Sequence, residues 1–235
     1  MGTIICNRKA VSIDWDKVIN INDSKALLID FSYTNFEPYK RRVDKIITHH
    51  DICTSAHMCH KILKKNELST HFCIDNDGTI YQFLDTRHKA WHTAGANTYS
   101  IGIDLSTAYD VKYQEYYLEK YKKPKPVETA KIHGQELGPF LGFYPEQLEA
   151  YKQLLIGLIK YYKIPLRYPR DEEGKMLKTF SNSCYKFKGI MCGYHVNSKK
   201  IDPPGLNLDE IVLDLRDRFF KNKSVINNTN VSEEK

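Results

Sequence analysis

The stretch THFCIDNDGTIYQFLD, residues 70–85, limits the fold more than any other part of this chain. Phe72 and Ile74 precede an Asp77-Gly78 pair, and Ile80 and Phe83 follow it. Apolar residues flanking a two-residue turn signal specify a β-hairpin. A hairpin alone is not stable in water, so it must join a larger sheet. Two further strands are available. VDKIITHHD (43–51) is a β-branched run that ends in polar residues, the pattern of a strand delivering side chains to a rim. YSIGIDLS (99–106) is apolar on both faces and reads as a central strand.

Helical periods separate these strands. TSAHMCHKILKKNEL begins at Thr54 or Ser55, either of which can cap a helix. PEQLEAYKQLLIGLIKYYKIP carries Leu148, Tyr151, Leu154, Leu155, Leu158, Ile159 and Tyr162 on one stripe, with Pro145 opening it and Pro165 closing it. NLDEIVLDLRDRF repeats the pattern with Leu208, Ile211, Val212, Leu215 and Phe219. The order predicts an α/β fold: a single domain with a central mixed β-sheet flanked by helices. The expected divisions are an N-terminal extension over 1–42, the domain proper over 43–221, and a flexible polar tail over 222–235. Residues from about 109 to 145, rich in Tyr and Lys and broken by Pro124 and Pro126, read as an insertion.

Composition excludes several classes. With 41% hydrophobic and 27% charged residues, and no apolar run near the roughly 20 residues a membrane helix needs, membrane insertion is not expected. The opening MGTIICNRKA is too short and too weakly apolar for a secretory signal, so synthesis in a cytoplasm without a signal peptide is expected. Position 6 is Cys where N-myristoylation wants Ser or Thr. The six cysteines lack any C-x-x-C pair and read as reduced and mostly buried. A net charge of +6 suits a polyanionic partner, nucleic acid or an anionic cell-wall polymer. The basic residues form no single stripe, so nucleic acid is not the expected partner.

The segment CGYHVNSKKIDPPG (192–205) concentrates candidate chemistry. Catalytic zinc takes three protein ligands, often His and carboxylate, and leaves a fourth position for water. His195 and Asp202 could share such a metal, and Lys200 beside them could stabilise the oxyanion formed when bound water attacks an amide. An ordinary proline-stiffened turn with solvated lysines is the plain alternative. His49 and His50 end a strand and point to opposite faces, so only one can reach a given site. Asp104 is an acid within an apolar strand, a costly burial unless paired or functional, and a candidate general base. Trp91 and His92 lie on a small-residue loop suited to ligand contact or to loop packing. His57, His60, His71, His88 and His133 read as structural.

Taken in order, KIITHHD, STHFCIDNDGTIYQFLD, AWHTAGANTYSIGIDLS and GYHVNSKKIDPPG resemble the motifs of the zinc-dependent N-acetylmuramoyl-L-alanine amidases. That family includes phage endolysins, cell-wall recycling amidases and peptidoglycan recognition proteins. The resemblance runs roughly from Val43 to Leu208. It implies Zn2+ held by His49, His195 and Asp202, Lys200 as the oxyanion cation, and Asp104 as the proton carrier where the family commonly has glutamate. His92 and Asn97 would line the substrate groove. The His195–Asp202 loop is shorter than in many members, and D-P-P-G replaces D-P-G. The implied function is hydrolysis of the amide between N-acetylmuramic acid and L-alanine in peptidoglycan. The expected setting is a monomeric phage endolysin reaching the host wall after holin release. The alternative is a non-catalytic peptidoglycan-binding module of the same fold.

Overall fold

A computed structural model describes residues 1–29, 35–36 and 41–229 of the 235-residue chain. The chain opens with an antiparallel hairpin, β1 (Gly2–Cys6) and β2 (Lys9–Ile13). Asn7 and Arg8 at its turn both have positive φ, 51° and 65°. Their backbone N–H groups donate to the two oxygens of Asp85, each at 2.8 Å, which holds this turn without glycine. A short strand β3 (Val18–Ile19) follows, then β4 (Asn35–Phe36) and β5 (Lys45–His50). Next come α1 (Ala56–Lys65), the predicted hairpin β6 (Phe72–Ile74) and β7 (Ile80–Gln82), β8 (His88–Lys89) and β9 (Ser100–Leu105). Gly78 supplies the positive φ of the β6–β7 turn, 81°.

Residues expected as an insertion form α2 (Gln114–Tyr121) and a hairpin, β10 (Val127–Ile132) and β11 (Gln135–Leu141). The chain then runs through α3 (Pro145–Tyr162), β12 (Gly189–Cys192), the single turn α4 (Gly193–Val196) and α5 (Leu208–Thr229). Helix α5 extends well into the segment expected as a tail; residues 230–235 lie outside the described residues. Part of the expected N-terminal extension belongs to the main sheet, because β3 is its edge strand.

The main sheet has the order β12-β5-β9-β6-β7-β3. Only β6 and β7 pair antiparallel; the other neighbours are parallel, so the sheet is mixed as expected. Every residue of β5 and β9 is buried, as central parallel strands covered on both faces require. Alternation divides their side chains. Ile46, Ile101, Ile103 and Ile190 pack with Leu154, Leu155 and Leu158 of α3, while Ile47 and Met191 join Ala96, Cys184 and Val196 on the other face. Helix α1 covers that second face farther along, where Ala56 and Cys59 pack with Cys73, Phe83 and Ala90. Among the described residues, no helix is long and apolar enough to cross a membrane.

Register positions the site. His49 of β5 pairs with Asp104 of β9, and Asp104 pairs with Cys73 of β6. Thr48 pairs with Cys192, which puts Gly193 next to His49 at the carboxyl end of the sheet. Open parallel sheets bind ligands just beyond those ends.

Candidate functional site

The strand ends open into a cavity of about 240 Å³ lined by His49, His92, Asp104, Lys200, Asp202 and Asp51, among others. His49 and His50 separate as strand alternation dictates. His50 turns away, its Nε2 2.5 Å from the Thr107 carbonyl and its ring edge-on to Phe143. His49 faces the cavity. Its Nδ1 donates to Asp202 Oδ2 at 2.7 Å, and its Nε2 faces the loop that carries His92. Thr93 Oγ1 lies 3.0 Å from that nitrogen, and so does His92 Nδ1. Lys200 Nζ is 3.3 Å from His49 Nδ1, 3.4 Å from the His92 carbonyl and 3.9 Å from Asp202 Oδ1.

Charge follows from these contacts. Burial works against ionisation of Asp202, but His49 and Lys200 outweigh it and hold the carboxyl below the usual range. Burial pushes the Asp104 carboxyl up, against the pull of His49 and Lys200. Burial, then His49, His71 and Lys200, push His92 well below the ordinary histidine value, so it is neutral. The His92 ring packs over Gly102, where a Cβ would come within 2.8 Å of it. The glycine of the SIGID run is therefore needed for room.

Asn97 is a positioning residue. Its Oδ1 accepts the backbone N–H groups of His92 at 3.2 Å and Thr93 at 2.7 Å, fixing the loop that carries both. His92 and Asn97 also border an adjoining hollow of about 410 Å³ with Trp91, Lys89 and Leu68. Beneath this loop the Arg41 guanidinium, missed in the sequence, reaches the carbonyls of Thr86, His88, Asn97 and Ser100. Thr93 and Gly193 carried no sequence signal either.

His195 departs from expectation and is not brought to this cavity as a metal ligand. Its Nδ1 accepts the Cys192 N–H at 2.9 Å, and its Nε2 lies 2.5 Å from the Leu177 carbonyl. Both nitrogens are committed to backbone. A helical turn rotates each residue by about 100°, so His195, two positions beyond Gly193 in α4, points elsewhere. The place beside His49 belongs to Gly193, where a Cβ would lie 2.6 Å from Asp202 Oδ2 and 2.9 Å from His49 Nδ1.

Zinc therefore does not fit this cleft as a three-ligand site. Two of the three expected donors, His49 and Asp202, do meet, at 2.7 Å. The third expected donor is turned away. His92 does not replace it, since it meets the opposite nitrogen of His49.

The buried histidines set an acid limit. Burial lowers both His50 and His195 to about 4. The unfolded chain binds protons at these groups from about pH 6.5 downward while the folded chain does not, so stability falls as pH drops from about 6.5 to 4. Each histidine accounts for up to about 3 kcal/mol of that loss. Urea titrations across this range should show it, and His195→Gln should flatten the slope; an unchanged slope would rule out a buried neutral His195.

Residues 39–203 match the family described as N-acetylmuramoyl-L-alanine amidase. That is most of the chain, and the chain belongs to this family. Among solved structures it is similar to the N-acetylmuramoyl-L-alanine amidase LysC from Clostridium intestinale, at 18% identity over 86% of this chain and 99% of that one, TM-score 0.51. The endolysin amidase LysCS from the same organism matches at 19% identity over 87% and 99%, TM-score 0.49. The Drosophila peptidoglycan recognition protein PGRP-SA matches at 18% identity over 76% and 81%, TM-score 0.42. No curated protein matches the chain.

Proposed function

We propose that this chain binds the N-acetylmuramoyl–L-alanine region of peptidoglycan at the strand-end cleft and does not cut it by zinc hydrolysis. The observation that carries this reading is Gly193 beside His49, in a cleft that keeps its polar wall but supplies only two of three metal donors. Lys200 offers a cation to the carbonyl and carboxylate oxygens of a muramoyl-peptide. Trp91, 40% exposed at the edge of the adjoining hollow, offers an apolar face to a sugar ring. His49, His92 and Asp202 form the floor between them.

Hydrolysis is the second reading, favoured by Asp104, His49 and Lys200 lining one cavity. The expectation of a phage endolysin released onto the host wall goes with that reading.

One experiment separates the two. Purified sacculi are incubated with the protein, with added zinc and with chelator, then sedimented, and the supernatant is analysed by mass spectrometry. The expected result is protein in the pellet and no stem peptide bearing a free L-alanine amine in any condition. Released stem peptides would establish hydrolysis, and protein left in the supernatant would overturn recognition of the wall.

A further inference from the structure

Behind the cleft floor, the chain gathers donors that the peptidoglycan reading does not use. Asp51 follows β5, Cys53 lies in the next turn, Cys59 is on α1 and Cys73 is on β6. Ligand atoms of Asp51, Cys59 and Cys73 all lie within 4.8 Å of one another, and no other such group of three occurs among the described residues. Cys73 Sγ is 3.7 Å from Asp51 Oδ2. A tetrahedral zinc bound to one sulfur and one oxygen holds them about 3.6 Å apart. The spacing is that of two corners of a metal site.

We propose that Asp51, Cys59 and Cys73 hold a thiolate-bound metal ion, zinc by its chemistry. The Cys53 thiol is in hydrogen-bonding contact with Cys59. It also donates to the Asp51 carbonyl at 3.1 Å, so it lies beside the group without being one of its donors. Two thiols with one carboxylate form a donor set that selects zinc over magnesium or calcium.

The surroundings match a ligand carboxylate. Asp51 Oδ1 accepts the N–H groups of Cys53 at 2.8 Å and Thr107 at 3.2 Å, and Oδ2 accepts the Ser106 hydroxyl. Such outer hydrogen bonds orient metal-binding carboxylates. All three cysteines are buried and free. The ion would tie the end of β5 to α1 and β6 directly below the cleft, because Asp51 also lines its cavity. It stands apart from the His49–Asp202 pair, which uses neither thiols nor Asp51.

The test uses the full chain. Metal content is measured after dialysis against a weak chelator, and metal-free protein is then reconstituted with Co2+. About one zinc per chain is expected, with cobalt giving near-ultraviolet thiolate charge-transfer bands and the visible bands of a tetrahedral ion. Zinc should remain in the His49→Ala/Asp202→Ala double variant and be lost in Cys59→Ser/Cys73→Ser. The cobalt spectrum needs no variant, so it decides the matter even if the cysteine variant fails to fold. A cobalt complex without thiolate bands, zinc lost only with His49 and Asp202, a Cys53–Cys59 disulfide, or a chain that takes up neither metal would each overturn the proposal.

Discussion

Arg41→Met is expected to lower the free energy of unfolding by about 3–5 kcal/mol, because several buried carbonyls lose their donor at once. Arg41 is only 6% exposed. Its Nη2 donates to the carbonyls of Asn97 at 3.0 Å and Ser100 at 2.7 Å, while Nη1 serves Thr86 at 3.0 Å and the His88 carbonyl. Methionine fills similar volume but donates nothing. Each carbonyl left buried and unpaired costs about 1–3 kcal/mol. The clamped segment carries His92, Thr93 and Asn97, so affinity for sacculi should fall with stability. Arg41→Lys should rescue little, because one ammonium cannot span carbonyls spread over a planar fork. Urea unfolding with an unchanged m-value reads the effect. A change below about 1 kcal/mol would mean that water replaces the guanidinium and that the loop holds itself.

Lys200→Met should weaken binding of a soluble muramoyl-peptide by roughly 10- to 100-fold, the effect of losing one charged hydrogen bond to ligand. Lys200 Nζ sits at the cleft mouth within reach of His49 and the His92 carbonyl, with about a third of its side chain open to solvent. The neighbouring Lys199 is exposed and serves as the control: Lys199→Met keeps the fold and nearly all of the affinity. Titration calorimetry at two salt concentrations distinguishes a contact from long-range attraction. A direct contact loses affinity at both salts, whereas general attraction by the net charge of +6 would make the two variants alike. Equal behaviour of the two variants would remove Lys200 from the proposed ligand contacts.

Much of the architecture was legible because it rests on short periods. The Asp77-Gly78 turn, the all-buried β9 and the amphipathic α3 each follow from residues within a few positions of one another. Strand alternation separated His49 from His50 correctly. The closing segment shows where such reasoning ends. Its residues suggested that His195 and Asp202 share a metal, and Asp202 does meet His49. His195, set in a turn of helix, faces the Leu177 carbonyl instead. One residue more or less between a strand end and a ligand changes its direction by about 100°, and spacing alone does not reveal where the helical turn begins.

What the sequence determined by itself was therefore the order of the central strands and helices from β5 onward, the mixed sheet, the family and the side chains at the strand ends, but not the hairpins β1–β2 and β10–β11 or helix α2. Hydrophobic periodicity and turn chemistry act locally, so they can be read along the chain. Only the tertiary structure decided that Gly193 occupies the place beside His49, that Arg41 clamps the loop of His92, and that Cys59 and Cys73 meet beside Asp51. Each of these depends on the register between strands distant in sequence, where the direction of a single side chain, rather than the residue type, settles what it can do.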